Sequence, residues 1–262
     1  MILLTGATGF VGHKILQMYP DAVVCPSLRG ASENTIRQIV EESGADTIIH
    51  TAAISDIGIC QANPDASYHA NVQIPVYLAK AAGHRKLICF SSDQVYSGLE
   101  AEGPYEEDTV KPGNTYAQHK LEMEQRVLNI SSDAVMLRAE WMYDYYLKKP
   151  NYFMNVIGAK DCISFSSRQY RGITYVKEVA QNMEAVICLP GGVYNFGSET
   201  TKSMYAITRD FLAAIGQQTP LADGPPRHNL WMDCEKARKY GVIFQSVEDG
   251  LLSCAKDHGL IP

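Results

Sequence analysis

Apolar residues recur along the chain in two rhythms that alternate with one another. Short continuous runs at Met1-Ile2-Leu3-Leu4, Asp21 to Cys25, Asp46 to His50, Lys86-Leu87-Ile88-Cys89-Phe90 and Asp133-Ala134-Val135-Met136-Leu137 have the length and density of strands buried on both faces. Between them, apolar positions return at helical spacing. Phe10, Val11, Ile15, Leu16 and Tyr19 mark one helix, and Ser32 opens a second through Ile36, Ile39 and Val40 toward Ser43-Gly44. A third helical stretch runs from Pro64 through Val76, Leu78 and Ala82, and a long fourth from Asn114 to Asn129. Strands alternating with helices of this length predict right-handed crossovers and a doubly wound parallel sheet of the α/β class, with ligand chemistry gathered at the carboxyl ends of the strands.

From about Trp141 the pattern loosens. An aromatic-rich stretch (Trp141, Tyr143, Tyr145, Tyr146, Tyr152, Phe153) either walls a pocket or packs beneath a cap. An extended run at Cys162 to Phe165, a helix from Val176, a strand at Gly192 to Phe196 and helices near Ser203 to Ile215, Asp233 to Tyr240 and Val247 to His258 follow. We expect residues 1–140 to form the main domain, with strand and helix returns from the rest, and residues 141–262 to form a smaller mixed α/β cap. The chain carries no internal repeat or low-complexity segment.

The first candidate chemistry lies where the first strand gives way to the first helix, at Thr5-Gly6-Ala7-Thr8-Gly9-Phe10-Val11-Gly12. Gly6 permits backbone angles closed to other residues, Gly9 lets the main chain approach a ligand, and Gly12 allows close helix-strand packing. The unpaired amides at the start of the helix favour negative charge, so the segment reads as a cradle for the pyrophosphate of a dinucleotide.

The second candidate is Ser91-Ser92 after the fourth strand, with Tyr116 and Lys120 four residues apart on one face of the following helix. A phenol with a pKa of about 10 is a poor proton donor or acceptor at neutral pH, but a neighbouring ammonium stabilises the phenolate. Lys120 supplies that ammonium, and Ser92 hydrogen-bonds the substrate oxygen while a nicotinamide exchanges hydride. Tyr145 and Lys149 repeat the spacing, without a strand-end serine pair ahead of them.

With a length of 262 residues the chain can bury a full core, in one large domain or one with a smaller appendage. A formal net charge of −6 and the absence of any Lys/Arg block argue against nucleic-acid binding. The seven cysteines have no C-x-x-C pair and no metal-like clustering, so we expect no metal and read most of them as small core residues. Cys60 falls in an expected site loop and reads as an ordinary buried thiol. Because Met1 leads directly into a strand and no apolar run reaches spanning length, a reduced cytoplasmic setting, without membrane association, is expected.

Taken together, the chain resembles the extended short-chain dehydrogenase/reductase superfamily, and within it the dTDP-4-dehydrorhamnose reductase-like branch. The resemblance runs through the glycine segment, His50-Thr51-Ala52-Ala53, Asn71-Val72, Ser91-Ser92-Asp93-Gln94-Val95-Tyr96, Tyr116-Ala117-Gln118-His119-Lys120 and Leu137-Arg138-Ala139-Glu140-Trp141-Met142-Tyr143. It continues in Gln169-Tyr170, Thr174-Tyr175-Val176 and Arg227-His228-Asn229. It implies a Rossmann-type domain that binds NADP or NAD, an oxidoreductase acting on the keto group or alcohol of a sugar nucleotide, and a homodimer. Ser92, Tyr116 and Lys120 become the catalytic trio, and Ala52, Ala53 and Phe90 join Gly6, Thr8, Gly9, Phe10, Val11 and Gly12 beside the cofactor. Asp93 and Trp141 match positions that meet substrate. The alternatives are an epimerase and a non-catalytic, cofactor-binding regulatory subunit. Dehydration is disfavoured, because Asp93 is followed by Gln94 rather than by a second acid.

The chain leaves the branch's pattern on the substrate side. Gly58 and Ile59 stand in place of an acidic-basic pair, Arg168, Arg171 and Ile173 in place of an acid and a Gly-x-Pro, and Pro226-Arg227 in place of Arg-Pro. Arg168 and Arg171 either clamp a substrate phosphate or carboxylate or are surface arginines. The second strand ends in Cys25-Pro26-Ser27-Leu28-Arg29, with no carboxylate for a ribose hydroxyl pair. Ser27 and Arg29 instead suit a 2′-phosphate, which tilts the expectation from NAD to NADP.

Overall fold

The computed structural model describes residues 1–146 and 150–262. The chain runs β1 (Ile2–Thr5), α1 (Phe10–Met18), β2 (Val23–Val24), α2 (Glu33–Ser43), β3 (Thr47–His50), α3 (Ile57–Ala62), α4 (Pro64–Tyr68), a π-helical turn (His69–Gln73), α5 (Ile74–Ala82) and β4 (Lys86–Ser92). After a 3₁₀ turn (Asp93–Tyr96) come α6 (Thr115–Ile130), β5 (Val135–Ala139), β6 (Trp141–Tyr143), α7 (Tyr152–Ile157), β7 (Ile163–Phe165), β8 (Ile173–Tyr175), α8 (Val176–Gln181) and α9 (Met183–Ile187). The last elements are β9 (Gly192–Phe196), α10 (Met204–Ala214), β10 (Leu221–Asp223), α11 (Glu235–Arg238) and α12 (Val247–Asp257).

Six strands form one parallel sheet in the order β2-β1-β3-β4-β5-β9. Alternation along each strand divides its side chains between two cores. Leu3, Ile48, Leu87, Cys89 and Met136 point to a core closed by α2, α5 and α6. Their neighbours Leu4, Ile49, Ile88, Phe90 and Leu137 point to a second core closed by α1, α8 and α9. Both faces are therefore apolar, which is why these strands read as unbroken hydrophobic runs. The two-stranded pairs β6-β8 and β7-β10 lie outside the main sheet, over a third core that holds Tyr143, Tyr152, Phe153 and Phe211.

Local chemistry sets the helix ends. The Ser32 side chain accepts from the Thr35 amide and Gly44 closes α2 at φ +62°. Asn114 likewise accepts from the Ala117 amide, which starts α6 one residue after the position read from the sequence. The fourth strand runs two residues further than its apolar run, so Ser91 and Ser92 are its last residues rather than a following loop. The second strand shrinks to two residues, and the fifth moves two residues along the chain. α3 is absent from the apolar periodicity because Ile57-Gly58-Ile59-Cys60 has no helical spacing. It forms because Asp56 caps it, accepting from the Ile59 amide at 2.8 Å. Cys60 is thus a buried helix residue, its thiol donating to the Ile54 carbonyl, and not a loop thiol.

Candidate active site

The carboxyl ends of β1, β3, β4 and β5 open into one cleft of about 1420 Å³. Its floor at one end is the glycine segment. Gly6 takes φ +69°, and its carbonyl accepts from the Gly9 amide at 2.8 Å, turning the chain sharply into α1. A Cβ on Gly12 would lie 2.2 Å from the Gly6 carbonyl oxygen and 2.8 Å from Thr51 Oγ1. The first turn of the helix therefore packs directly on the loop. Gly9 is the N-cap and brings no side-chain acceptor, and the first turn holds no acid. That leaves the positive end of α1 facing the cleft beside Thr8, Phe10 and Val11, a donor set suited to phosphate.

Beyond β2, Ser27 and the exposed Arg29 line the same cleft, the Arg29 amide lying 3.4 Å from Ser27 Oγ. The loop after β3 brings in Ala52 and Ala53. Asn71, in the π-helical turn, fixes that loop: its Oδ1 accepts from the Ile54 amide at 3.1 Å and its Nδ2 donates to the Ile54 carbonyl at 2.9 Å. Under the floor, His50 Nδ1 bonds Thr5 Oγ1 at 2.7 Å, and burial together with the Lys120 charge pushes the ring down to about 3, so it is neutral.

Ser92, Tyr116 and Lys120 meet at the middle of the cleft. Tyr116, Lys120 and Glu124 share one face of α6, and Glu124 anchors that face. It accepts from Ser91 Oγ at 2.5 Å and from Arg138 Nη2 at 2.7 Å, while Arg138 Nη1 donates to the Tyr96 hydroxyl at 2.8 Å. The ion pair is buried on both sides; burial alone would lower the Arg138 guanidinium, and the hydrogen bonds and charge of Glu124 more than offset that and hold it above its ordinary value. Lys120 Nζ donates to the Phe90 carbonyl at 2.7 Å and sits 5.8 Å from the centre of the Tyr116 ring.

One electrostatic expectation is corrected. Burial raises the Tyr116 phenol above its ordinary value, the charge of Asp93 adds to the rise, and the opposing influence is a hydrogen bond with Ser92 rather than the Lys120 ammonium. Burial also depresses Lys120, to about 8, against the pull of Cys89, Glu124 and Cys60. The three groups are together in space, with one N–H of the Lys120 ammonium directed at the Phe90 carbonyl.

On the substrate side, Ser92 Oγ donates to Asp93 Oδ1 at 3.1 Å, and Asp93 Oδ2 accepts from Arg171 Nη2 at 2.7 Å. The Arg171 guanidinium lies 5.5 Å from the centre of the Trp141 ring, which is half-exposed on the cleft wall. Arg171 is thus a cleft residue, whereas Arg168 is exposed and does not line the cleft. Arg227 and the exposed Ile57 and Ile59 complete the rim. Of the aromatic stretch, Trp141 walls the cleft, while Tyr143, Tyr152 and Phe153 are core. Lys149 of the second Tyr-x-x-x-Lys spacing lies outside the described residues.

Two cleft features escaped the sequence reading. Asn71 stood in a matching segment without a role, and only its bond to a loop seventeen residues away shows what it does. Glu140 lines the cleft beside Asp93 and Arg171. Its signal was present, as an acid directly after the end of a strand, where the sheet presents its chemistry.

The sequence model of the family described as RmlD substrate binding domain matches residues 1–229. Methionine adenosyltransferase 2 subunit beta of Pongo abelii is 29% identical over 280 residues, covering 92% of this chain and 82% of the relative. The fold is similar to that of a dTDP-4-dehydrorhamnose reductase from Clostridium acetobutylicum, with a TM-score of 0.86 at 21% identity over 98% of this chain and 99% of that one. It is also similar to a dTDP-4-dehydrorhamnose reductase from Bacillus anthracis in complex with NADP, with a TM-score of 0.83 at 22% identity over 98% and 97%.

Proposed function

The chain belongs to the RmlD substrate binding domain family, and from that premise we propose that it is a nicotinamide-dependent reductase of a keto group on a nucleotide-linked sugar. The observation that carries the reading is the convergence of Ser92, Tyr116 and Lys120 in the cleft that the glycine loop floors. The residues present fit a dinucleotide: the uncapped start of α1 suits its pyrophosphate, Gly6 and Gly12 keep the loop tight, and Ala52, Ala53 and Phe90 offer small or apolar surface along the remaining length. Ser27 and Arg29, with no acid between Cys25 and Gly30, favour NADP over NAD. The NADP bound by the Bacillus anthracis neighbour agrees with that preference.

When bound, the nicotinamide supplies hydride. Tyr116 delivers the proton to the carbonyl oxygen, and Ser92 hydrogen-bonds the same oxygen, releasing Asp93 Oδ1 to do so. Lys120, 5.8 Å from the centre of the Tyr116 ring, supplies positive charge on this side of the cleft as the proton leaves. Trp141 and the Asp93–Arg171 pair border the sugar. The main domain of residues 1–140 holds the cofactor and residues 141–262 supply most of the substrate wall.

Oxidation of NADPH by the purified protein across a panel of nucleotide-linked keto-sugars tests the assignment. Turnover is expected, with a rate at least about a hundredfold lower for Tyr116→Phe. No turnover on any member, or a Tyr116→Phe rate equal to wild type, would remove it.

A second reading is a cofactor-binding regulatory subunit, favoured by the likeness to methionine adenosyltransferase 2 subunit beta. It predicts NADPH binding without turnover, together with a partner enzyme whose kinetics change when this chain is added.

A further inference from the structure

Glu140 stands between β5 and β6, where the chain leaves the main sheet for the outer wall of the cleft. It is 6% exposed. Its niche is built to take a carboxyl group: a Cβ on Gly172 would lie 1.9 Å from Glu140 Oε2, and one on Gly197 would lie 2.3 Å from the carboxyl carbon. A side chain on either glycine would expel it. Thr174 Oγ1 donates to Oε1 at 2.5 Å, and the Ser198 amide donates to the same oxygen at 2.9 Å. Among the described residues, no hydrogen bond reaches Oε2.

We propose that Glu140 is a substrate-contacting residue of this cleft: held from behind by Thr174 and Ser198, it presents Oε2 as a hydrogen-bond donor to an oxygen of the bound sugar. The proposal rests on the reading of the cleft as a nucleotide-sugar site.

The donor role requires the acid form, and the surroundings favour it. Burial first, and the negative charge of Asp93 at the end of β4, push Glu140 up to about 8. Three groups work the other way: the Thr174 hydroxyl from β8, the Arg171 guanidinium from the segment before β8, and the Ser198 amide after β9. The remaining titratable neighbour is Cys234, a buried thiol pushed well above its ordinary value and therefore uncharged. Burial raises the Asp93 carboxyl as well, but Arg171 is bonded directly to it and opposes that rise, so the guanidinium favours ionisation there over ionisation at Glu140. The two acids divide the work, Asp93 as an acceptor bonded to Arg171 and Glu140 as a donor within reach of the same charge. A sugar between them meets both kinds of hydrogen-bonding partner, which is what recognition of hydroxyl groups demands.

Two variants separate the donor from the charge. Glu140→Gln keeps a donor that cannot ionise, and Glu140→Ala removes both. With NADPH and a keto-sugar that the wild-type protein reduces, KM is expected to rise more steeply as pH passes about 8 in the wild type than in Glu140→Gln, which keeps only the dependence that Lys120 contributes there. At pH about 7, Glu140→Ala should raise KM about tenfold with a smaller change in kcat, the loss of one net hydrogen bond. A wild-type KM that ignores pH through this range, or an Ala variant with the wild-type KM, overturns the contact. A second measurement needs no turnover. In carbon-13 NMR of protein labelled at the glutamate carboxyls, the resonance lost in Glu140→Gln should titrate near 8 and move higher on saturation with dTDP-glucose or UDP-glucose. A resonance in the ordinary carboxylate range, or one that neither nucleotide sugar moves, overturns the proposal. Absence of turnover on every keto-sugar while the resonance still responds would sink the reductase reading and leave the contact standing.

Discussion

Arg171 reaches across the cleft to Asp93, Nη2 to Oδ2 at 2.7 Å, on a pair whose side chains are only 14% and 5% exposed. The arginine changes what the cleft offers a ligand. Asp93 is no longer an open carboxylate, and its second oxygen already holds Ser92. Any substrate that needs Asp93 must share it.

Because the pair is largely removed from water, breaking one side should cost more than removing both. Arg171→Ala is expected to lower stability by about 3 kcal/mol, and the Asp93→Asn/Arg171→Ala double variant by clearly less than the sum of the singles. A double-mutant cycle by urea denaturation measures the coupling. Strict additivity would show that the two groups do not meet in solution.

Cofactor choice should turn on Arg29. Arg29→Ala is expected to weaken NADPH about tenfold or more, the loss of a charge-assisted contact to a 2′-phosphate, while the NADH affinity moves less than about twofold. Calorimetric titration with both cofactors reads the difference. Equal losses for the two would place Arg29 away from the 2′ position.

Gly12→Ala should fail for steric reasons alone. The added methyl group would meet the Gly6 carbonyl and Thr51, and the helix must withdraw from the loop, a cost of about 1–3 kcal/mol for overpacking. The same withdrawal spoils the phosphate cradle. Thermal denaturation should show both a lowered Tm and loss of the upward shift that NADPH produces in the wild type.

Lys120 gives a pH signature in stability. Its folded value, about 8, lies below the value of the free side chain, so the fold disfavours the charged form. Above the unfolded pKa both states are neutral and no cost is felt. The cost grows as pH falls toward the folded value, and it is constant below that. Lys120→Met is therefore expected to gain on the wild type in denaturant midpoint as pH falls from about 10.5 to about 8, keeping that gain at lower pH. A gap that widens toward alkaline pH contradicts this. Turnover should be lost at every pH.

The main sheet and its cradle were legible because each rests on local chemistry. Leu3 and Leu4 face different cores, and a strand covered on both sides cannot hide its pattern. Gly6 and Gly12 stand where the backbone leaves no room for another residue. α3 was not legible, since Asp56 makes the helix by capping and no apolar period announces it. Tyr116 and Lys120 were correctly paired by their spacing, but spacing says nothing of burial, and burial sets both of their proton affinities. Arg171 and Glu140 are long-range cases. One meets an acid 78 positions away, and the other depends on two glycines in separate loops.

The main sheet is completed by β9, drawn from residues 192–196, which pairs along the whole of β5. During synthesis, β5 emerges more than fifty residues before its neighbour. Until then the growing chain carries an unpaired and largely apolar strand edge, with the Tyr96 hydroxyl, which accepts from Arg138, lacking its bond to Asn195. A nascent chain halted before residue 192 should recruit chaperones more strongly than one halted past residue 196, and the full-length chain least of all. The period of greatest exposure on the ribosome is thus written into the order of the strands.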